Sequence, residues 1–401
     1  MSRVSTLRQK FEQIFNNSDE EMRVFFAPGR VNLIGEHTDF TGGYVLPAAL
    51  TYGTWAVVRP SKDRKFSLAS TSFDQRVQFA LDELDYRSED GWANYPKGVI
   101  REFAQLGVHL SGCEMLFDGN IPKAAGLSSS ASIEMVTAIA LQRITSLDVS
   151  LIELTRLAQR AENQFVGVNC GIMDQFASGM GKAGHALLLK CDSLVYRHIP
   201  LSFGDYRLVL TNSNKPRSLT RSKYNQRRQE CEAGEKLVLG YLPAVTCLGN
   251  ITLEQWETVH NKIQTPEIYK RLEHVVHENA RVLASTIALE TGDIKTFGQY
   301  MLKSHESLRD LYEVTGWELD TLFDQARRVS GCIGTRMTGA GFGGCTVSLV
   351  HKDALGDFET QVTQGYQAKT GFTPTFYSGE SGDGAREILD TAMPFTERLD
   401  K

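Results

Sequence analysis

The segment PGRVNLIGEHTDFTGGYVLP, residues 28–47, limits what this chain can fold into. Its Val31, Leu33, Ile34, Val45 and Leu46 belong in a core, yet Arg30, Glu36, His37 and Asp39 are threaded among them. Charged groups enter a core only when something there pairs with them. Four of them in one short segment raise the question of what small, polar object would need so many hydrogen-bonding groups.

Bulk properties narrow the class. A length of 401 residues is enough for two domains. Net charge is −5, whereas a generic nucleic-acid binder carries a basic excess. The opening residues show no apolar stretch of the signal type, and no run approaches the ~18–20 residues of a membrane span. The 7 cysteines are scattered with no CxxC pair, which suggests neither a zinc knuckle nor a disulfide framework. A reducing, cytoplasmic setting is the expectation.

The order of elements is mixed. A helix is expected near residues 6–15, followed by strands in VFFAPGRVNLI, YVLPAAL, TWAVVRP and FSLAST. WANYPKGVIREFAQLG reads as a helix ending at Gly107. GCEMLFDGNIP is a strand and turn, and GLSSSASIEMVTAIALQRITS and SLIELTRLAQRAENQFVG are helices. Strands return in GHALLLKCD, VYRHIPL and DYRLVLTNSN, and one long helical stretch is expected over about 218–323. The chain closes on GCTVSLV, DALGDFETQVTQGYQAK and TPTFYSG, a strand-helix-strand run. This predicts an α+β protein of two lobes, 1–185 and 186–401, whose last segment is a candidate to pack back on the first lobe.

Three further segments carry chemistry. In PKAAGLSSSAS, Ser128, Ser129 and Ser130 open an apolar helix. Serines cap helix starts, and the free N–H groups there suit a phosphate. A plainly capped helix with no ligand is the alternative reading, and no GxxxxGK[ST] loop is present. MTGAGFGGCTVSLV formally matches GxGxxG through Gly339, Gly341 and Gly344. A helix precedes it and a strand follows, the reverse of a dinucleotide fold, so its glycines point instead to a close backbone approach.

AENQFVGVNCGIMDQFASGMG sets Glu162 on a helix and Asp174 after a glycine turn, flanked by Met173 and Phe176. Asp174 alone would read as a helix cap, and Cys170 as a small buried residue with no base partner. KPRSLTRSKYNQRRQE puts Arg217, Arg221, Tyr224 and Arg228 on one helical face. Most of its arginines read as a solvated face, with Tyr224 a candidate to meet a ligand.

Taken together and in this order, these segments resemble one family nearly end to end. GRVNLIGEHTDF is similar to the galactokinase signature. IPKAAGLSSSAS and TGAGFGGC resemble motifs of the wider GHMP kinases, which include homoserine, mevalonate and phosphomevalonate kinases. The resemblance implies a two-lobed GHMP fold with mixed sheets and helices and a cleft active site. It also implies ATP- and Mg2+-dependent phosphorylation of the anomeric hydroxyl of α-D-galactose by a cytoplasmic monomer, the first committed step of galactose catabolism.

Carried over by motif, the catalytic pair is Asp174 and Arg30. The sugar positions are Glu36, His37, Asp39, Gly171 and Tyr224. ATP positions are Trp92, Tyr95, Gly126, Leu127, Ser128, Ser129, Ser130 and Ala131, and the metal ligands are Ser129 and Glu162. Phe40 stands where the family usually has tyrosine, and Ala124 where many members have glycine. Two other readings stay open: an N-acetylgalactosamine kinase, and a galactose and ATP sensor without turnover. The complete GLSSSAS turn with Arg30 and Asp174 favours catalysis over the sensor.

Overall fold

The computed structural model describes residues 3–108, 110–122, 125–216 and 220–389. Ala124 and Arg217 lie outside the described residues, as does the side chain of Arg221. In chain order the first half holds α1 (Arg3–Phe15), β1 (Arg23–Asn32), β2 (Tyr44–Val45), β3 (Pro47–Ser61), β4 (Lys65–Ser70) and β5 (Val77–Ala80). Next come α2 (Asn94–Gln105), β6 (Gly112–Gly119), α3 (Ser129–Thr145), α4 (Leu151–Arg160) and α5 (Met173–Met180). The second half holds β7 (His185–Lys190), β8 (Tyr196–Pro200), β9 (Tyr206–Asn212), α6 (Thr220–Leu239), α7 (Leu253–Val259), α8 (Pro266–Glu290), α9 (Ile294–Ser307) and α10 (Trp317–Ala326). It closes with β10 (Cys332–Thr338), β11 (Cys345–His351), α11 (Leu355–Thr370), β12 (Thr375–Ser378) and β13 (Arg386–Glu387).

One sheet runs β13-β1-β3-β6-β4-β5, a second β10-β11-β9-β12, and a small third β2-β7-β8. This is the α+β architecture expected from the order of elements. The last strand, β13, pairs antiparallel with β1, through Phe25 with Glu387 and Phe26 with Arg386. The long helical stretch expected over 218–323 is not one helix. It breaks at 3-10 and π turns and at loops between α6, α7, α8, α9 and α10. Its breaks coincide with ordinary caps: the Thr252 capping box opens α7, Pro266 opens α8, and Asp293 caps α9.

α3 is buried along most of its length, from Ala131 to Leu141, and packs with α2 and the first sheet. A separate apolar core spans the two halves. Val31, Leu33, Ile34, Leu46, Ala48 and Leu50 pack there with Leu208, Leu210, Val282, Phe297, Val347 and Leu349. The end of β1 and the turn after it therefore lie on the seam between the two larger sheets.

Candidate active site

β1 reaches the serine turn through a register shift between Pro28 and Arg30. A Cβ at Gly29 would stand 2.4 Å from the carbonyl oxygen of Leu127, so only glycine lets the strand run this close. The Arg30 amide donates to that same carbonyl (3.1 Å), and its Nη1 donates to the Gly126 carbonyl (2.8 Å). Nε and Nη2 of Arg30 fork onto the Asp174 carboxylate at 2.8 and 3.0 Å. A planar guanidinium makes such a two-point bond with fixed geometry. Ser128 Oγ donates to the same carboxylate (2.5 Å). Arg30, the serine turn and Asp174 thus form one hydrogen-bonded unit.

Ser128 sits at the cap position of α3 with φ of 60°, and its hydroxyl makes no cap bond there. The expectation of a serine cap is corrected on this point: the hydroxyl is spent on Asp174. The first-turn N–H groups remain directed at whatever fills the turn, which favours an anion. The third motif leans on the same place, with a Cβ at Gly339 falling 3.1 Å from the Gly126 carbonyl. Of the remaining residues expected here, Leu127 and Ala131 are buried, whereas Ser129 is exposed.

Helix α8 holds the backbone after β1 from behind. Glu278 accepts from the Gly35 amide, His274 bonds the Glu36 carbonyl, and Asn279 accepts from the Tyr44 amide. That rack turns Glu36, His37 and Asp39 into a cavity of about 280 Å³. Arg30, Glu162, Asp174 and Tyr224 also line it, as does Gly339 of the glycine-rich loop, together with Asn225 and Ala340, which sequence reasoning missed. The size lies at the lower end of the roughly 300–1,000 Å³ typical of small-molecule sites and suits a single polar ring. Buried His37 Nδ1 and Asn225 Oδ1 have no hydrogen-bond partner among the described residues, as a polar ligand site would offer.

Electrostatics vary sharply across this small space. Burial, reinforced by the charge of nearby His274, drops His37 to about 3, so it stays neutral. Its ring packs against Tyr312 and Tyr224, with centroids 4.8 and 5.5 Å away. Burial and the Asp174 charge push Asp39 up to about 6. Gly171 abuts Asp39, since a Cβ on Gly171 would fall 2.0 Å from Oδ2. Burial also raises Glu36, against the opposing charges of Arg336 and Arg30.

Behind Asp174 lies a group that sequence reasoning only half saw. Burial and the Asp174 charge push Glu162 up to about 7. Its carboxylate takes bonds from Gln175 (2.6 Å), the Cys170 thiol (3.4 Å) and the Ser130 hydroxyl. Buried Glu134, raised well above its ordinary value, joins the group through Gln175 (3.0 Å) and Glu162. A lone carboxylate in the apolar run ASIEMVTAIAL was the available signal for Glu134. Two readings need correction. Cys170 lines the cavity against Glu162 rather than simply filling space, and burial keeps its thiol protonated. The serine that bonds Glu162 is Ser130, while Ser129 faces outward.

Arg228 is not merely solvated either: it donates to the Asn169 carbonyl (2.9 Å) and covers the Phe40 ring at 5.9 Å. Trp92 and Tyr95 sit where a 3-10 turn meets α2 and do not line this cavity. Trp92 stacks on half-exposed Phe73 (6.1 Å, 11°) and meets the edge of Phe117 (5.7 Å). Among the described residues, no group of three or more His, Cys, Asp or Glu is arranged to hold a metal by itself.

Comparison with known proteins fits this layout. Residues 9–60 match the galactokinase galactose-binding signature, 94–182 the GHMP kinase N-terminal domain and 285–368 its C-terminal domain. The chain is 53% identical to a galactokinase of Halalkalibacterium halodurans, over 92% of this chain and 93% of that one. It is 48% identical to a galactokinase of Fusobacterium nucleatum, over 96% and 100%. Among solved structures it matches a Lactococcus lactis galactokinase complexed with galactose at a TM-score of 0.93 and 40% identity, covering 96% and 100%. A Methanococcus jannaschii mevalonate kinase, at a TM-score of 0.65 and 18% identity over 92% and 100%, shares the fold.

Proposed function

This chain belongs to the galactokinase family, and from that premise we propose that it transfers the γ-phosphoryl group of ATP to the anomeric hydroxyl of α-D-galactose. The observation that carries the reading is the forked Arg30–Asp174 pair, tied by Ser128 to the anion-binding turn and open to a polar cavity. Phosphoryl transfer is mostly positioning and charge stabilisation, and this arrangement supplies both.

Asp174 accepts the proton of the attacking hydroxyl. Arg30 fixes the carboxylate's orientation and stabilises charge on the phosphoryl group in flight. Glu36, His37, Asp39 and Tyr224 receive the sugar, with Gly171 giving Asp39 its place. Such a site discriminates by leaving its buried groups unpaired when an epimer binds. Residues Gly126, Leu127, Ser128, Ser129, Ser130 and Ala131 cradle the phosphates. Trp92 and Tyr95, which lie outside the sugar cavity, are the positions the family resemblance offers for the adenine.

A magnesium ion fits the donor set. Oxygen ligands predominate, and Glu162, Asp174 and Glu134 crowd negative charge where a cation would relieve it. Glu162 would hold it, with the serine contribution assigned to Ser130 rather than Ser129 because Ser130 already bonds Glu162. When bound, it would neutralise charge on the phosphates.

The lobes divide near residue 185, with β13 completing the first lobe's sheet. All 7 cysteines are free, which supports a cytoplasmic setting. No helix among the described residues is long and apolar enough to cross a membrane. A coupled ADP-release assay tests the reading. Galactose should give turnover well above N-acetylgalactosamine. Silence with galactose, or a preference for the acetamido sugar, would overturn it.

A further inference from the structure

The reading of Glu36 as a sugar ligand leads to a residue outside the cavity. Arg336 lies on β10, is fully buried, and does not line the ligand space. Its Nη1 donates to Glu36 Oε2 (3.0 Å) and to the Asn32 carbonyl (3.1 Å). Its Nε donates to Ser304 (3.2 Å), whose hydroxyl in turn donates to Glu278 (2.6 Å). Glu36 has two other donors: the Asn32 side-chain amide on Oε2 and the Gly339 N–H on Oε1.

An ionised carboxylate offers about four lone-pair directions. Three are occupied, two on Oε2 and one on Oε1, so one direction on Oε1 stays open. All three neighbours present N–H groups to Glu36, and the Arg336 guanidinium and Gly339 N–H have no acceptor to offer it. We propose that Arg336 is a positioning residue for sugar recognition: it holds Glu36 as an anion with a single acceptor direction free, so that the site demands one sugar hydroxyl as a donor there. Burial opposes ionisation at this depth, and Arg336 is the strongest charge acting the other way. A lysine could not replace it in full, because one ammonium cannot span Glu36, Asn32 and Ser304 with the same fixed fan of donors.

The test is calorimetric titration of galactose into the nucleotide-free full chain, with ADP binding as a check on the fold. Glu36→Gln and Arg336→Met should each weaken galactose by about tenfold or more, the size of one buried group left unpaired. The double variant should bind no worse than Glu36→Gln alone. Arg336→Lys should fall between parent and Arg336→Met, with ADP affinity unchanged.

Normal galactose affinity in Arg336→Met overturns the inference, as does a double variant in which the two losses multiply. Normal affinity in Glu36→Gln removes the underlying sugar-site reading as well, so the two failures are separable. Should Arg336→Met not fold alone, the double variant, which lacks the unpaired Glu36 charge, is compared with Glu36→Gln. Equal affinities there support the role, and a further loss overturns it.

Discussion

Replacing Asp174 with asparagine keeps the side chain's shape but removes its charge and half its acceptor capacity. In the native site one oxygen takes Arg30 Nε (2.8 Å), and the other takes both Arg30 Nη2 (3.0 Å) and Ser128 Oγ (2.5 Å). An amide can accept at one atom only. Ser128 can reverse its hydroxyl and accept, but one arm of Arg30 must then face an N–H. The variant keeps one limb of the fork and has no proton acceptor for the sugar. Loss of general-base help is worth about a hundred- to ten-thousand-fold, or roughly 2.7–5.4 kcal/mol on the barrier. Steady-state ADP release should show that fall in kcat. Galactose affinity measured by calorimetry should stay within a few-fold, because the rest of the cavity is untouched. A kcat reduced by less than about tenfold would refute the assignment of Asp174 as proton acceptor.

Three further outcomes follow from particular contacts. Glu162 titrates near 7 in the fold against an ordinary 4.5, so its ionisation costs stability as pH rises through that interval. In chelator-treated protein, Glu162→Gln should therefore gain in melting temperature relative to the parent from about pH 4.5 to 7, and a flat or opposite trend would contradict this. Gly171→Ala drives a Cβ into Asp39 Oδ2 and should raise the galactose KM by about a hundredfold, so a KM within threefold of the parent would count against Asp39 as a sugar ligand. Lys97 is fully buried against Asp90 (2.9 Å) and under the Phe79 ring (5.0 Å). Lys97→Met should cost about 3–5 kcal/mol in urea unfolding, most of it recovered when Asp90→Asn is added.

The parts of the site legible in the sequence were those compressed into short segments. Arg30, Glu36, His37 and Asp39 lie within ten residues of one another, and Ser128 to Ser130 are adjacent, so their chemistry shows as local pattern. What stayed hidden depends on pairings across hundreds of positions. Arg336 meets Glu36 and Asn32 only after β10 has been laid beside the first lobe, and nothing in CIGTRMTG announces a partner about 300 residues upstream. His274 and Glu278 are spaced for one helix face, but that spacing looks the same on a solvated helix. The breaks between α6 and α10 were missed because helical propensity persists across them, while tertiary packing decides where each helix stops. The serine pattern is local and reads as a cap, whereas the acceptor of Ser128, Asp174, comes from a distant turn.

The apolar core shared by both halves has a consequence for how ligands come and go. Swinging the halves apart would wet residues such as Leu33, Ile34, Val282, Phe297 and Val347, each worth roughly 1.5–3 kcal/mol of burial. Exposed together, these five would cost about 7.5–15 kcal/mol, comparable to the whole margin by which a typical protein stays folded. Loading and unloading must therefore proceed by small local shifts at the rim, with the seam beneath acting as a fixed keel.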